Sequence, residues 1–273
     1  MGTIFTPNER IWVTRHKLQV GSKSLLLTIH ESESIIILYI GGHEKYCIEV
    51  LLYKQVGGET ITQGHLSHVY YNINCSLENN FQRGIDTDMI LKLLMSYIKD
   101  NYPYITTLRF EDTSYRTCDN NKVIELAEMN YIFSGKTWYE MKFGAYLDGK
   151  DILEFSKADK AFQEIKKTME WKKFKDYITI PFNESELEPM YTSSETWQDF
   201  FSQLRVKLGV SEFCIFLVPW FHRFMDAKFK LSLSKLKYIL PLNKSVEYSV
   251  LNYSRGGKQF TRKKIKQRPI HDT

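Results

Sequence analysis

The chain has 273 residues, 43% of them hydrophobic and 25% charged, with a formal net charge of +5. It is too long for a mini-protein, comfortable for one large domain or two modest ones, and apolar enough to bury a sizeable core. No run of eighteen apolar residues exists, which excludes a transmembrane helix, and Met1–Arg10 lacks a basic and then apolar leader, so no signal peptide is expected.

Residues 10–77 read as strands. Ile11–Gln19, Ser24–His30, Ile35–Ile40, Tyr46–Gln55 and Leu66–Leu77 are short apolar or β-branched runs, with breakers at Gly21, Gly41-Gly42, Gly57-Gly58 and Gly64. From Thr87 to Asp100 the period changes. Met89, Ile90, Leu93, Leu94, Tyr97 and Ile98 share one helical face, and Pro103 closes the helix. Ile105–Glu111 is predicted as a strand, Val123–Met129 as a short helix and Thr137–Leu147 as a strand.

Beyond Gly149, Ser156–Lys175 is predicted as a charged amphipathic helix and Asn183–Met190, with Pro189, as a loop. Thr192-Ser193-Ser194-Glu195 has the spacing of a capping box. The helix it opens carries Trp197, Phe200, Phe201, Leu204 and Leu208 on one face and stops at Gly209. Phe213–Phe221 is wholly apolar and predicted as a buried strand; Leu231–Leu242 alternates like a half-exposed one. The four cysteines, Cys47, Cys75, Cys118 and Cys214, are far apart without a CxxC pair, so buried reduced thiols in a cytosolic setting are expected.

Charge is concentrated at the end. Residues 255–273 hold seven Lys or Arg and one Asp, a net +6, which leaves the first 254 residues at −1. A tail of this kind stays unfolded alone and seeks polyanions, so its expected partners are nucleic acid or an acidic protein surface, with solubilisation as the plainer role.

Strands, then a long helix, then strand, short helix and strand form an order that resembles the GCN5-related N-acetyltransferase (GNAT) superfamily. Its acyl-CoA loop has the form Arg/Gln-x-x-Gly-x-Gly/Ala before a helix, where backbone N–H groups hold a pyrophosphate. The matching stretch is Phe81-Gln82-Arg83-Gly84-Ile85-Asp86-Thr87, with Phe81 in place of the first polar residue and Asp86 in place of the second small one. The resemblance implies Arg83 and Gly84 as contacts for acetyl-CoA; Asp86 fits a helix cap instead. The superfamily's later motif, Ala, Tyr and Gly four residues apart, is matched by Ala127, Tyr131 and Gly135, with Asn130 and Lys136 departing from the usual neighbours. It implies that Tyr131 protonates the CoA thiolate, while simple packing explains the same spacing.

The segments Phe81–Gly84, Ser114–Asn120 and Gly135–Glu140, with a tail containing Arg255-Gly256-Gly257-Lys258, resemble GNAT-like proteins of large nucleocytoplasmic DNA viruses. Such kinship implies a host-cytoplasmic location, in a viral factory or virion, and either N-acyltransfer or a structural role that retains the fold.

No general base stands out. His65 and His68, three apart on a strand, are expected on opposite faces, against a shared metal. Glu78, Glu111 and Asp112 read as turn carboxylates at sheet ends. Trp220–Met225 is the densest aromatic cluster, read as a core plug that has the alternative of stacking single-stranded bases. The predicted organisation is an α/β (α+β) mixed sheet with flanking helices over residues 1–150, a smaller helix and strand extension over 151–254, and the basic tail.

Overall fold

A computed structural model describes residues 10–41, 46–55, 61–69, 75, 77, 81–82, 84–118 and 122–252. The chain begins with β1 (Trp12–Val20), β2 (Lys23–Glu31), β3 (Ile35–Ile40), β4 (Ile48–Lys54), β5 (Ile61–Val69), α1 (Ile85–Asn101) and β6 (Thr107–Glu111). It continues through β7 (Tyr115–Thr117), β8 (Val123–Glu125), α2 (Leu126–Ser134), α3 (Trp138–Phe143), β9 (Tyr146–Leu147) and α4 (Gly149–Thr168). Then come α5 (Trp171–Phe174), α6 (Glu184–Ser193), α7 (Trp197–Leu217), α8 (Phe221–Lys228), β10 (Lys237–Pro241) and β11 (Ser249–Asn252).

Two compact units result. One holds the residues up to Phe110 and those from Leu240 onward; the other holds Glu111–Ile239. Residue 150, where the sequence expectation divided the chain, lies in the first turn of α4 inside the second unit.

In the first unit the strands line up as β11-β1-β2-β3-β4-β5-β6. The run from β1 to β5 is an antiparallel meander of short apolar strands, with β3 buried on both faces, and β11 pairs antiparallel with β1. β5 and β6 are parallel and share one paired position, His65 with Arg109. Parallel neighbours need a crossover, and α1 supplies it. The register defines two faces. On the first, Leu18, Leu25, Leu27, Leu38, Val50 and Leu52 are fully buried. The apolar stripe of α1, Ile90 to Ile98, is buried too. Each such side chain contributes about 1.5–3 kcal/mol by leaving water.

Gly64 marks the closest approach in this unit. A Cβ built there would stand 2.4 Å from Leu108 Cδ2 on β6. Gly64→Ala is expected to destabilise by about 1–3 kcal/mol through overpacking; a urea midpoint equal to that of the parent would show that Leu108 simply moves aside.

The second unit is mainly helical. A β7–β8 hairpin precedes α2, β9 pairs with β10, and buried Trp197, Trp220, Phe162, Phe174, Phe200 and Phe224 form an aromatic core. The mixed α/β class expected from the sequence holds, with eight helices among the described residues.

Several local expectations are corrected. Only Tyr146–Leu147 of the strand expected over 137–147 is extended; Trp138–Phe143 is helical, opened by a capping box of Thr137 and Glu140 and ended by Gly144 in the left-handed region. The helix expected over 123–129 begins at Leu126, after three residues of β8. Asn183–Met190 is mostly helix, with Pro189 inside α6, and Thr192 and Ser193 end that helix rather than open the next. The working box is Thr196 with Asp199, the same spacing moved four positions along the chain. Gly209, at φ 72°, kinks α7, and the apolar run after it is buried helix rather than strand. The cysteines are also not thiols: Cys47 pairs with Cys75 and Cys118 with Cys214, at Cα separations of 5.7 and 5.8 Å. Wide spacing in sequence says nothing once the fold brings the Cα atoms within disulfide reach.

Candidate functional site

The expected acyl-CoA loop leads into α1. Phe81 is buried and Gln82 exposed; Arg83 lies outside the described residues. Gly84 is the N-cap at φ 87°, a left-handed conformation that favours glycine, with nothing within 4 Å of a built Cβ. Asp86, only 3% exposed, turns its carboxylate back to accept from the Gln82 N–H and pairs with Lys23 Nζ at 2.9 Å. The positive end of the helix is thus met by the protein's own charge. The N-cap position that the sequence offered to Asp86 is held by Gly84; Asp86 is the second residue of α1, and its carboxylate accepts from Gln82 ahead of the helix.

Tyr131 sits on α2 in the second unit and is 1% exposed. Its hydroxyl donates to Asp159 Oδ1, and its ring packs on Phe229 at 4.9 Å and Phe155 at 5.6 Å. Burial first, then the Asp159 carboxylate, push its pKa well up, so its proton is held rather than offered. Ala127 is buried one turn earlier, and Gly135, at φ 71°, is the left-handed C-cap of α2. The Ala-Tyr-Gly spacing therefore has a complete helical explanation. Gly84 and Tyr131 belong to different units.

The other face of the first unit's sheet carries a polar row that the sequence did not reveal. Register places Arg15, Thr28, Tyr39, Glu49 and His68 side by side across five strands. A β-bulge after Leu66 leaves Ser67 as the extra residue, so His65 and His68 point to the same face rather than opposite ones. His68 Nε2 lies 4.0 Å from the buried Glu49. Tyr39, packed on Tyr46 at 5.1 Å, is pushed up to about 12 by burial and then by Glu49. Among the described residues no group of three His, Cys, Asp or Glu has the geometry to hold a metal ion.

In the second unit, Glu128 of α2 is 4% exposed and lies 3.6 Å from Nδ1 of the half-exposed His222 on α8. That is an ion-pair distance, longer than a hydrogen bond. Burial pushes Glu128 up; the Glu128 carboxylate pushes His222 up, with Glu125 adding to both. Asp112, expected as a turn carboxylate, is buried, accepts from Ser114 N and Oγ, and is pushed up by desolvation. Glu111 is exposed at the end of β6, and Glu78 lies outside the described residues. Trp220, Phe221 and Phe224 are buried in the aromatic core, which fits the core-plug role rather than base stacking.

Both members of the Glu128–His222 couple bind protons more tightly folded than unfolded, so the folded state gains most below about pH 4 to 6.5 and loses that gain as pH rises. The melting temperature is expected to fall from pH 6 to pH 8 more steeply in the parent than in Glu128→Gln; parallel curves would show that the couple is not formed.

A cleft of about 510 Å³ opens in the first unit beside the C-terminal end of α1. Ile36 and Ile105 give it apolar lining, Glu31, Lys54 and Asn101 give it polar groups, and Tyr102 and Tyr104 flank them. Lys54 Nζ is already engaged by Glu31 Oε1 at 2.7 Å and Ser32 O at 2.8 Å. Sequence reasoning missed this cleft because its residues come from four strands and the end of α1 without a motif.

Comparison of the chain with protein-family models, with curated proteins and with solved structures finds no match. No helix among the described residues is long and apolar enough to cross a membrane.

Proposed function

We propose that the chain is a non-enzymatic structural or assembly protein that keeps a GNAT-like fold, of the kind carried by large nucleocytoplasmic DNA viruses, and binds polyanions through residues 255–273. The antiparallel meander, crossover helix α1 and single parallel pairing of β5 with β6 support the fold reading. The observation that carries the non-enzymatic reading is Asp86. Its carboxylate is buried in the first turn of α1, beside the helix end where a pyrophosphate would be received, and is already paired with Lys23 and the Gln82 N–H. A diphosphate there would meet like charge at close range. Tyr131, buried and bonded to Asp159, adds to the same side. The place of action in this reading is the host cytoplasm, in a viral factory or particle.

A second reading, acyl-CoA-dependent N-acyltransfer, draws on the open, left-handed Gly84 at the mouth of α1. In it Arg83 and Gly84 hold acetyl-CoA and Tyr131 protonates the departing thiolate. Thermal unfolding with acetyl-CoA separates the two. No rise in melting temperature is expected. Binding at a hundred times its Kd would instead add about 2.7 kcal/mol, and a rise abolished by Gly84→Asp would establish the cofactor site.

A further inference from the structure

We propose that the cleft beside the C-terminal end of α1 binds a free α-amino acid with an apolar side chain, whose ammonium and carboxylate are read together by Glu31 and Lys54. This site goes beyond the polyanion reading and does not depend on it.

The floor of the cleft is sheet. Glu31 is the ladder partner of Ile36 and Lys54 that of Ile61, so these four lining residues are held in two rungs, one across β2 and β3 and one across β4 and β5. The facing wall is the turn that follows α1. Ile105 N–H donates to Tyr102 O at 2.9 Å across Pro103 and Tyr104, a four-residue turn with proline at its second position. Groups carried on strands and on a closed turn are in place before a ligand arrives, which spares the cost of ordering them.

The charges decide the class of ligand. The lining holds one acid and one base, and they are neighbours: Lys54 Nζ donates to Glu31 Oε1 at 2.7 Å and to Ser32 O at 2.8 Å. An ammonium has three N–H groups and a carboxylate two oxygens, so one Lys54 N–H and Glu31 Oε2 remain for a ligand. A lone anion would meet Glu31 and a lone cation would meet Lys54, like charge at close range in either case. A zwitterion avoids both: its carboxylate accepts the spare Lys54 N–H while its ammonium donates to Glu31. An α-amino acid carries its two charges on one carbon, which matches a protein pair whose own charged atoms are 2.7 Å apart. Hydrogen bonds between charged groups are the strong ones.

The other lining groups fit the same ligand. Asn101 donates its amide N–H to Tyr97 O at 2.8 Å, which leaves its amide oxygen for a second ammonium N–H. Burial first, then Tyr97 and Glu31, push the Tyr102 phenol up, so it keeps its proton as a donor for the carboxylate. Ile36, Ile61, Pro103 and Ile105 make the rest of the lining apolar, which suits leucine or phenylalanine and disfavours a charged side chain. A volume of about 510 Å³ is in the range of small-ligand sites.

The test is isothermal titration calorimetry of the full chain with L-leucine and L-phenylalanine. Three relatives serve as controls: L-leucinamide, which lacks the carboxylate as a peptide's first residue does; N-acetyl-L-leucine, which lacks the ammonium as a peptide's last residue does; and L-glutamate. Leucine or phenylalanine should bind, and each control should bind at least about 10-fold more weakly, the worth of one hydrogen bond to a charged group. Glu31→Gln and Lys54→Gln should each weaken the amino acid about 10- to 100-fold, with melting by circular dichroism showing that the variant is folded. Should Lys54→Gln fail to fold, Glu31→Gln, at a half-exposed side chain, and the control ligands decide the matter. An amino acid of this size that uses its contacts binds with a Kd below about 10 mM, so silence from both at that concentration overturns the proposal. Leucinamide or N-acetyl-leucine binding as tightly as leucine, or parent-like affinity in folded Glu31→Gln, also overturns it. Each of these outcomes leaves the polyanion reading untouched.

Discussion

Trp197→Ala is expected to remove about 3–5 kcal/mol, the cost of emptying a large aromatic site that cannot collapse. Trp197 is fully buried on α7, stacked on Phe162 at 5.2 Å, against Phe224 at 4.9 Å and Phe174 at 5.4 Å. Its indole N–H donates to Phe162 O at 2.8 Å, joining α7 to α4. Against a typical total of about 5–15 kcal/mol, that loss removes much of the stability of the second unit. Trp197→Phe keeps most of the packing and gives up the hydrogen bond, for about 1–3 kcal/mol. Urea unfolding followed by circular dichroism should rank parent, Phe and Ala in that order. Equal midpoints for Phe and Ala would show that the hydrogen bond, not the ring, carries the site.

Lys166→Met is expected to cost about 1–3 kcal/mol although it removes a charge from a nonpolar setting. Lys166 is buried on α4, with Nζ donating to Tyr191 O at 3.1 Å and Ser194 O at 2.7 Å. Those carbonyls end α6, where helical partners run out. The ammonium also lies 4.1 Å over the Tyr191 ring. Burial pulls the lysine's pKa down and Asp199 partly restores it. Methionine fills the same volume but leaves Ser194 O without its donor, a cost of about 1–3 kcal/mol when buried, while Tyr191 O keeps the Ser194 N–H at 3.3 Å. A variant as stable as the parent would mean that water replaces the ammonium.

The half of the chain that was legible is the half where local pattern and tertiary packing agree. β1 to β4 read correctly because short apolar or β-branched runs are set apart by breakers, glycines at Gly21 and Gly41 and the polar Ser32-Glu33-Ser34 between β2 and β3. α1 read correctly because its stripe repeats with helical period. The misreadings lie where every residue is apolar or where a local device was overlooked. Phe213–Phe221 has no polar face to reveal a period, so strand and buried helix look alike. Thr137 and Glu140 form the box that opens α3, yet the aromatics after them resemble a strand. The candidate sites were less legible still. His65 and His68 share a face only because Ser67 is extra, and no residue type announces a bulge. Gly84 was visible as a loop glycine, whereas the turn of Asp86 onto Gln82 and Lys23 depends on β2 lying nearby.

The pairing of β1 with β11 has a consequence for synthesis. His16 and Asn252 are neighbours in the sheet but 236 residues apart in the chain. At about 5–20 residues per second on the ribosome, the first strand waits roughly 10–50 s for its outer partner. Throughout that interval one side of β1 is a bare row of backbone donors and acceptors, open to any other extended chain. The fold meets that hazard at the strand itself: Arg10, Arg15 and Lys17 repel a second copy of the same edge until the last strand arrives.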